Sequence, residues 1–146
     1  MSIQAFPTPA EQRDESTEEL RLDVGEPILD ALPLLDHRTR AQAIQPRLAP
    51  RGHYVEFQDG DEVAYVPLEQ RITHIGRGFT ADLRLEQSHV SVSHAILVRH
   101  GRFMRVLDNR SSNGTFVNGR RVIATNLRDG DVLRVGPVVM RYVVVS

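Results

Sequence analysis

The chemistry this sequence can do is carried by a few polar residues at loop positions. Between residues 76 and 119 the chain reads GRGFTADLRLEQSHVSVSHAILVRHGRFMRVLDNRSSNGTFVNG. Gly76-Arg77, Ser91-Val92-Ser93-His94 and Ser112-Asn113-Gly114 stand there between runs that read as strands. Arg77 follows a glycine, which lets the backbone turn, and presents a planar fork of donors to an anion. Ser91 and Ser112 are short hydroxyls that donate to phosphate oxygens at little entropic cost. Each is equally at home in an ordinary turn. Asn113 offers an amide able to bond a ligand main chain through both donor and acceptor. A plain hairpin turn uses the same Asn-Gly dipeptide, and Asn118-Gly119 reads as that plain turn. Together these groups outline one small polar site that receives a phosphate.

Other chemistries fit less well. His94 lies three residues after Ser91, and a Ser-His hydrolase could be imagined with Ser91 or Ser93 as nucleophile. Such a site needs a third group to orient the base, and an oxyanion hole. Asp108 is the acid weighed for that third role, and nothing resembles a nucleophile elbow. A buried histidine that ties loops together is the preferred reading of His94, and no enzyme activity is expected. The six histidines lack metal-ligand spacing, so no metal and no cofactor is expected. Cysteine is absent, which removes disulfides and thiol nucleophiles.

All 18 basic residues are arginine. Residues 1–36 hold 9 acids against 2 arginines, whereas residues 51–146 hold 13 arginines against 10 acids. A weakly basic body beside an acidic N-terminal segment points to an anionic ligand or to self-contact. The excess is too small for nucleic acid, where a domain-wide basic patch is expected. No segment approaches the apolar length of a membrane span. The N-terminus shows neither the basic start nor the apolar run of a signal peptide, so the expected location is the cytoplasm.

The elements that must position the site are strands. From Gly52 the apolar residues take the period of strands. Residues 53–68 read as a hairpin with a longer loop around Asp59-Gly60, and Arg71 to Ile75 as a strand ending at Gly76. Leu83 and Leu85 mark a short strand. Ala95 to Val98 and Phe103 to Leu107 are joined tightly at His100-Gly101. Thr115 to Val117, Val122-Ile123, Val132 to Val135 and Val138 to Val145 complete the series. Ten or eleven short strands with turns every 8 to 12 residues are the pattern of an all-β sandwich or barrel. If alternate loops lie at one end, Gly76-Arg77, residues 86–93 and residues 109–114 meet in space.

Residues 1–50 are expected to form a Pro-rich, acidic and largely unstructured N-terminal extension, with residues 51–146 as the folded domain. Ile28, Leu29, Leu32, Leu34 and Leu35 cluster, and a short helix is expected near 36–44. This piece reads as a segment that docks on the domain or folds only with a partner.

Taken together, Gly76-Arg77, Ser91 to His94, Ser112-Asn113-Gly114-Thr115 and Asn118-Gly119 resemble the forkhead-associated (FHA) domain. Asp82-Leu83-Arg84-Leu85 and the closing stretch from Leu127 to Gly136 agree, and the resemblance covers residues 52–144. It implies an eleven-stranded β-sandwich that binds phosphothreonine peptides through its apical loops, a module of the phospho-motif-reading kind. The implied role is a signalling adaptor downstream of a Ser/Thr kinase, with a phosphothreonine protein, the kinase or its substrate as partner. By position, Arg77, Ser91 and Ser112 would hold the phosphate and Asn113 the peptide backbone. Gly76, His94 and Gly114 would support the loops, and His89, Asn109 and Arg110 would read the residue three after the phosphothreonine. Val92 departs from the pattern, since the family usually has arginine, lysine or asparagine there. That loses a contact, which Arg84, Arg99 or Arg110 could replace, and opens the alternative of a phosphate-independent scaffold. Thr17, in an acidic setting with leucine three residues on, is a candidate phosphosite through which the extension could fold back on the site. Thr8-Pro9 is a weaker candidate.

Overall fold

From Gly52 onward the alternation of apolar and polar residues becomes eleven strands in the computed structural model, which describes residues 35–59 and 61–146. They are β1 (Gly52–Asp59), β2 (Glu62–Pro67), β3 (Ile72–Gly76), β4 (Leu83–Arg84), β5 (Ala95–His100), β6 (Phe103–Asp108), β7 (Thr115–Val117), β8 (Arg120–Arg121), β9 (Ala124–Leu127), β10 (Val132–Val135) and β11 (Val138–Val145). They form two sheets, one ordered β2-β1-β11-β10-β7-β8 and the other β4-β3-β5-β6-β9. All pairings are antiparallel except β3 with β4. Because successive side chains alternate between faces, the longer strands send every second residue into the space between the sheets. Val55, Phe57, Ile75, Leu97, Met104, Val106, Leu133 and Met140 fill that space and are fully buried. Each such side chain contributes about 1.5–3 kcal/mol of burial free energy, so the sheets are a rigid frame for the loops at their ends. The fold is the predicted all-β sandwich.

Two local expectations fail. Val122-Ile123 is not a strand: Ile123 is exposed and joins β8 to β9. The strand is instead the more polar Ala-Thr-Asn-Leu of β9, which pairs with β6 from Ala124↔Leu107 to Leu127↔Met104. Hydrogen bonding to a ready neighbour outweighed side-chain propensity there. The short helix occupies only His37–Arg40. Asp36 Oδ1 caps it by accepting from Thr39 N–H at 2.9 Å. It cannot run on to Ile44, whose N–H and C=O are both bonded to Tyr65 at 2.8 Å.

The segment 35–49 packs on both sheets. Leu35 is fully buried in the core and bridges Leu85 just past β4, while Ile44 bridges Tyr65 of β2. β4 and β2 are edges of their respective sheets, and exposed edges invite pairing with other chains. One strap covers part of both. The residues just before position 50 are thus in contact with the strands that follow. The remainder of the extension, including Thr8 and Thr17, lies outside the described residues.

Candidate functional site

Strands β3, β5, β6 and β7 bring three loops to one end of the sandwich: residues 77–82, residues 85–94 and residues 109–114. Main-chain bonds clamp the first to the second, with Arg77 N–H donating to Ser91 O and Gly78 N–H to Val92 O, both at 3.0 Å. The approach is close enough that a side chain at Gly76 would collide with the Val92 carbonyl oxygen. Arg77 Nε donates to Val90 O at 2.9 Å, which pins the guanidinium to the second loop one residue before Ser91. Its terminal nitrogens have no hydrogen-bond or ion-pair partner among the described residues.

The second loop meets the third through Ser91, whose Oγ accepts from Ser112 N–H at 3.0 Å. Asn113 Nδ2 donates to His89 O at 2.8 Å. Ser112 and Asn113 are both exposed. The fully buried His94 ties all of this together. Its Nδ1 accepts from Ser91 N–H at 3.0 Å and its Nε2 donates to Gly114 O at 2.9 Å. These partners assign the proton to Nε2. With both ring nitrogens committed to main-chain groups, His94 is not a base for Ser91 or Ser93, and the Ser-His hydrolase is ruled out on geometry.

Arg77, Ser91, Ser112 and Asn113 therefore lie together, with Gly76, His94 and Gly114 beneath them. Asn109 and Arg110 stand at the rim. Asn109 Nδ2 donates to Ser93 Oγ at 2.7 Å, and Arg110 is exposed with a φ of 57°. His89 is also exposed, beside Gln87. Of the arginines that could stand in for position 92, Arg99 lies toward the opposite end of β5, about 13 Å of strand away from Ala95. Arg84 supports the loop: its Nε donates to Arg77 O at 3.0 Å, its guanidinium lies 4.3 Å from the Phe79 ring centroid, and Glu86 is 3.5 Å away. Arg110 alone of the three is at the rim without a partner among the described residues. Val92 contributes its carbonyl and leaves its side chain exposed.

Two supports were not read from sequence. Asp108 holds the third loop, accepting from Ser111 Oγ at 2.6 Å, Ser111 N–H at 3.1 Å and Thr115 Oγ1 at 2.7 Å. Burial raises its carboxyl, but the hydrogen bonds from Ser111 and Thr115 and the nearby His94 hold it below its ordinary value. The Asp-x-x-Ser spacing into a turn was the available signal. The second is the Gly136-Pro137 turn, whose Gly136 N–H donates to Gly114 O at 3.2 Å. Nothing in the sequence placed it at this end.

The family model for the FHA domain matches residues 73–136. The ABC transporter ATP-binding/permease protein Rv1747 of Mycobacterium tuberculosis is 47% identical over 62 residues, 42% of this chain and 7% of that protein. A solved structure from work on phosphothreonine-dependent FHA domain interactions is 32% identical, with a TM-score of 0.59, covering 64% of this chain and 97% of that one. Mycobacterium tuberculosis EmbR in complex with a low-affinity phosphopeptide is 29% identical, with a TM-score of 0.60, covering 73% of this chain and 28% of that one. The shared region is thus a small part of the larger relatives and nearly all of the isolated domain. The chain belongs to the FHA-domain family. No helix among the described residues is long and apolar enough to cross a membrane.

Proposed function

We propose that this end of the sandwich binds a phosphothreonine-containing peptide or protein, as a signalling adaptor acting in the cytoplasm downstream of a Ser/Thr kinase. Arg77, Ser91 and Ser112 hold the phosphate, Asn113 bonds the adjacent peptide backbone, and His89, Asn109 and Arg110 read flanking residues. The observation that carries this reading is the Ser112 N–H to Ser91 Oγ bond of 3.0 Å beside a guanidinium pinned to Val90 O at 2.9 Å. It holds the Ser91 hydroxyl against the Ser112 main chain, one residue from the carbonyl that pins the Arg77 guanidinium. A phosphothreonine brings about −1.5 to −2 charges and three acceptor oxygens, which that donor set matches. Relatives known in complex with a phosphopeptide, or for phosphothreonine-dependent interactions, add support.

Arg77→Ala removes the chief charge-assisted bonds and is expected to lower affinity for a phosphothreonine peptide roughly 10- to 150-fold. Ser91→Ala also weakens it. Titration of the full chain with a phosphopeptide array measures both, and wild-type binding by both variants would overturn the site. The phosphate-independent scaffold is kept as a second reading because Val92 is exposed where a contact is expected. Equal calorimetric affinity for phosphorylated and unphosphorylated forms of one partner would favour it.

The N-terminal extension is a partner within reach. Leu35 bridges Leu85, whose N–H bonds Gly76 O at 2.9 Å, so the chain meets the sandwich beside the site. The 18 chain steps from Thr17 to Leu35 set an upper limit of about 60 Å on the reach of Thr17 from Leu35. Phosphorylation of Thr17 then lets the extension occupy its own site. NMR shifts of residues 86–93 and 109–114 should move on phosphorylation of wild type but not of Thr17→Ala. Identical spectra would remove the idea.

A further inference from the structure

Three side chains of β8, β7 and β10 stand in a row on the outer face of the six-stranded sheet. Phe116 lies opposite Arg121 on one side and opposite Arg134 on the other. The Arg134 guanidinium carbon sits 3.9 Å from the Phe116 ring centroid, and Nη1 donates to Gly136 O at 3.0 Å. That guanidinium is held in place by the ring and the carbonyl. Arg121 covers Gly114 instead: a Cβ built there would lie 2.9 Å from Arg121 Nε and 3.0 Å from its Cζ. The Arg121 side chain is exposed and forms no ion pair among the described residues.

This places a second cation beside the loop that presents Ser112 and Asn113. A path of contacts runs from Arg77 through Ser91 and Ser112 to Gly114 and Arg121, with a guanidinium at each end. Two chain steps, with Asn113 between, separate Ser112 from Gly114, about 7 Å at most. An extended peptide advances about 3.3 Å per residue. A group two to four residues from a bound phosphothreonine therefore spans the distance from the phosphate to Arg121.

We infer that Arg121 is a specificity-determining residue of this site, which binds a second anionic group on the same peptide. The group is a carboxylate or a further phosphate, set a few residues from the phosphothreonine. This rests on the phosphate reading above. A planar guanidinium matches either anion through two parallel bonds.

The test uses the full chain and fluorescein-labelled peptides read by anisotropy. One peptide has phosphothreonine flanked by alanine. The others carry aspartate, or phosphoserine, at each position in turn from three before to four after it. In wild type, aspartate at one position is expected to tighten binding about fivefold, and phosphoserine there more. Arg121→Gln should bind the alanine-flanked peptide like wild type and lose the gain, and Arg121→Lys should recover part of it. A gain for phosphoserine alone identifies a second phosphate as the ligand, whereas a gain for both identifies a general acidic preference. The inference is overturned if no position gains, if Arg121→Gln keeps the wild-type profile, or if it weakens every peptide equally. Should wild type fail to prefer the phosphorylated alanine-flanked peptide over its unphosphorylated form, the phosphate reading falls and this inference with it.

Discussion

Two Asn-Gly dipeptides five residues apart do different work in this molecule. Asn118-Gly119 closes the β7–β8 hairpin with both residues at positive φ, 52° and 83°. Its asparagine faces the frame, with Nδ2 donating to Asp131 Oδ1 at 3.0 Å and Oδ1 accepting from Val132 N–H at 2.9 Å. A Cβ at Gly119 would meet nothing within 4 Å. Asn113-Gly114 is the reverse case. The glycine is buried at φ 91°, with its carbonyl shared by His94 Nε2 and Gly136 N–H and its N–H bonded to Ser111 Oγ at 2.9 Å. The asparagine is exposed above it. The same two residues make a plain turn in one place and a junction between loops in the other, and the difference lies in what surrounds them.

Gly114→Ala should have the largest effect. The methyl must adopt a left-handed conformation and displace the Arg121 guanidinium and the Phe116 ring, each about 3 Å from where it would sit. Backbone strain and overpacking together predict a loss of about 2–5 kcal/mol, and phosphopeptide binding should be lost as the third loop shifts. Gly119→Ala pays only for conformation, about 1–2 kcal/mol, and should leave binding intact. Urea unfolding of both variants measures the gap. Equal losses would mean that the surroundings of Gly114 do not matter.

Asp108→Asn comes next, because it removes the anion that holds the loop carrying Asn113. The exchange should cost about 1–3 kcal/mol at neutral pH. Its pH dependence is distinctive. The folded-state carboxyl is held below its ordinary value of 3.8. Its contribution is therefore complete above pH 3.8 and is lost as pH falls through the lowered folded value. Circular dichroism should show wild type losing more stability on acidification below pH 3.8 than Asp108→Asn. Parallel acid profiles would show that these hydrogen bonds do not depend on the charge.

Much of this was legible in the sequence because the strands alternate cleanly and the turns carry strong residues. Val132 to Val135 and Val138 to Val145 stand where periodicity put them. The loops that meet were also foreseeable, since chain order along an antiparallel sandwich decides which end a loop occupies. Less visible was anything settled by long-range pairing. β9 is a strand because β6 offers it hydrogen bonds, not because Ala-Thr-Asn-Leu favours one. Leu35 is core only because the edges beside β4 and β2 stand open to it. Arg121 drew no notice because its place over Gly114 depends on the register Phe116↔Arg121, which no local pattern reveals.

The asparagines give the smallest change in stability and the sharpest test of the contrast. Asn118→Ala gives up two hydrogen bonds to the β9–β10 turn and β10, and a residue suited to positive φ, so about 1–2 kcal/mol is expected. Its affinity for phosphopeptide should be that of wild type, because neither bond reaches the site. Asn113→Ala breaks one exposed bond, Nδ2 to His89 O at 2.8 Å, and should cost only about 0.5 kcal/mol of stability. Its affinity should fall about tenfold, the worth of one or two hydrogen bonds to a peptide backbone. Measuring both variants by thermal unfolding and by peptide titration separates the two roles. A variant pair that loses stability and affinity in the same proportion would show that the two dipeptides are both plain turns, and the peptide-binding role of Asn113 would have to be withdrawn.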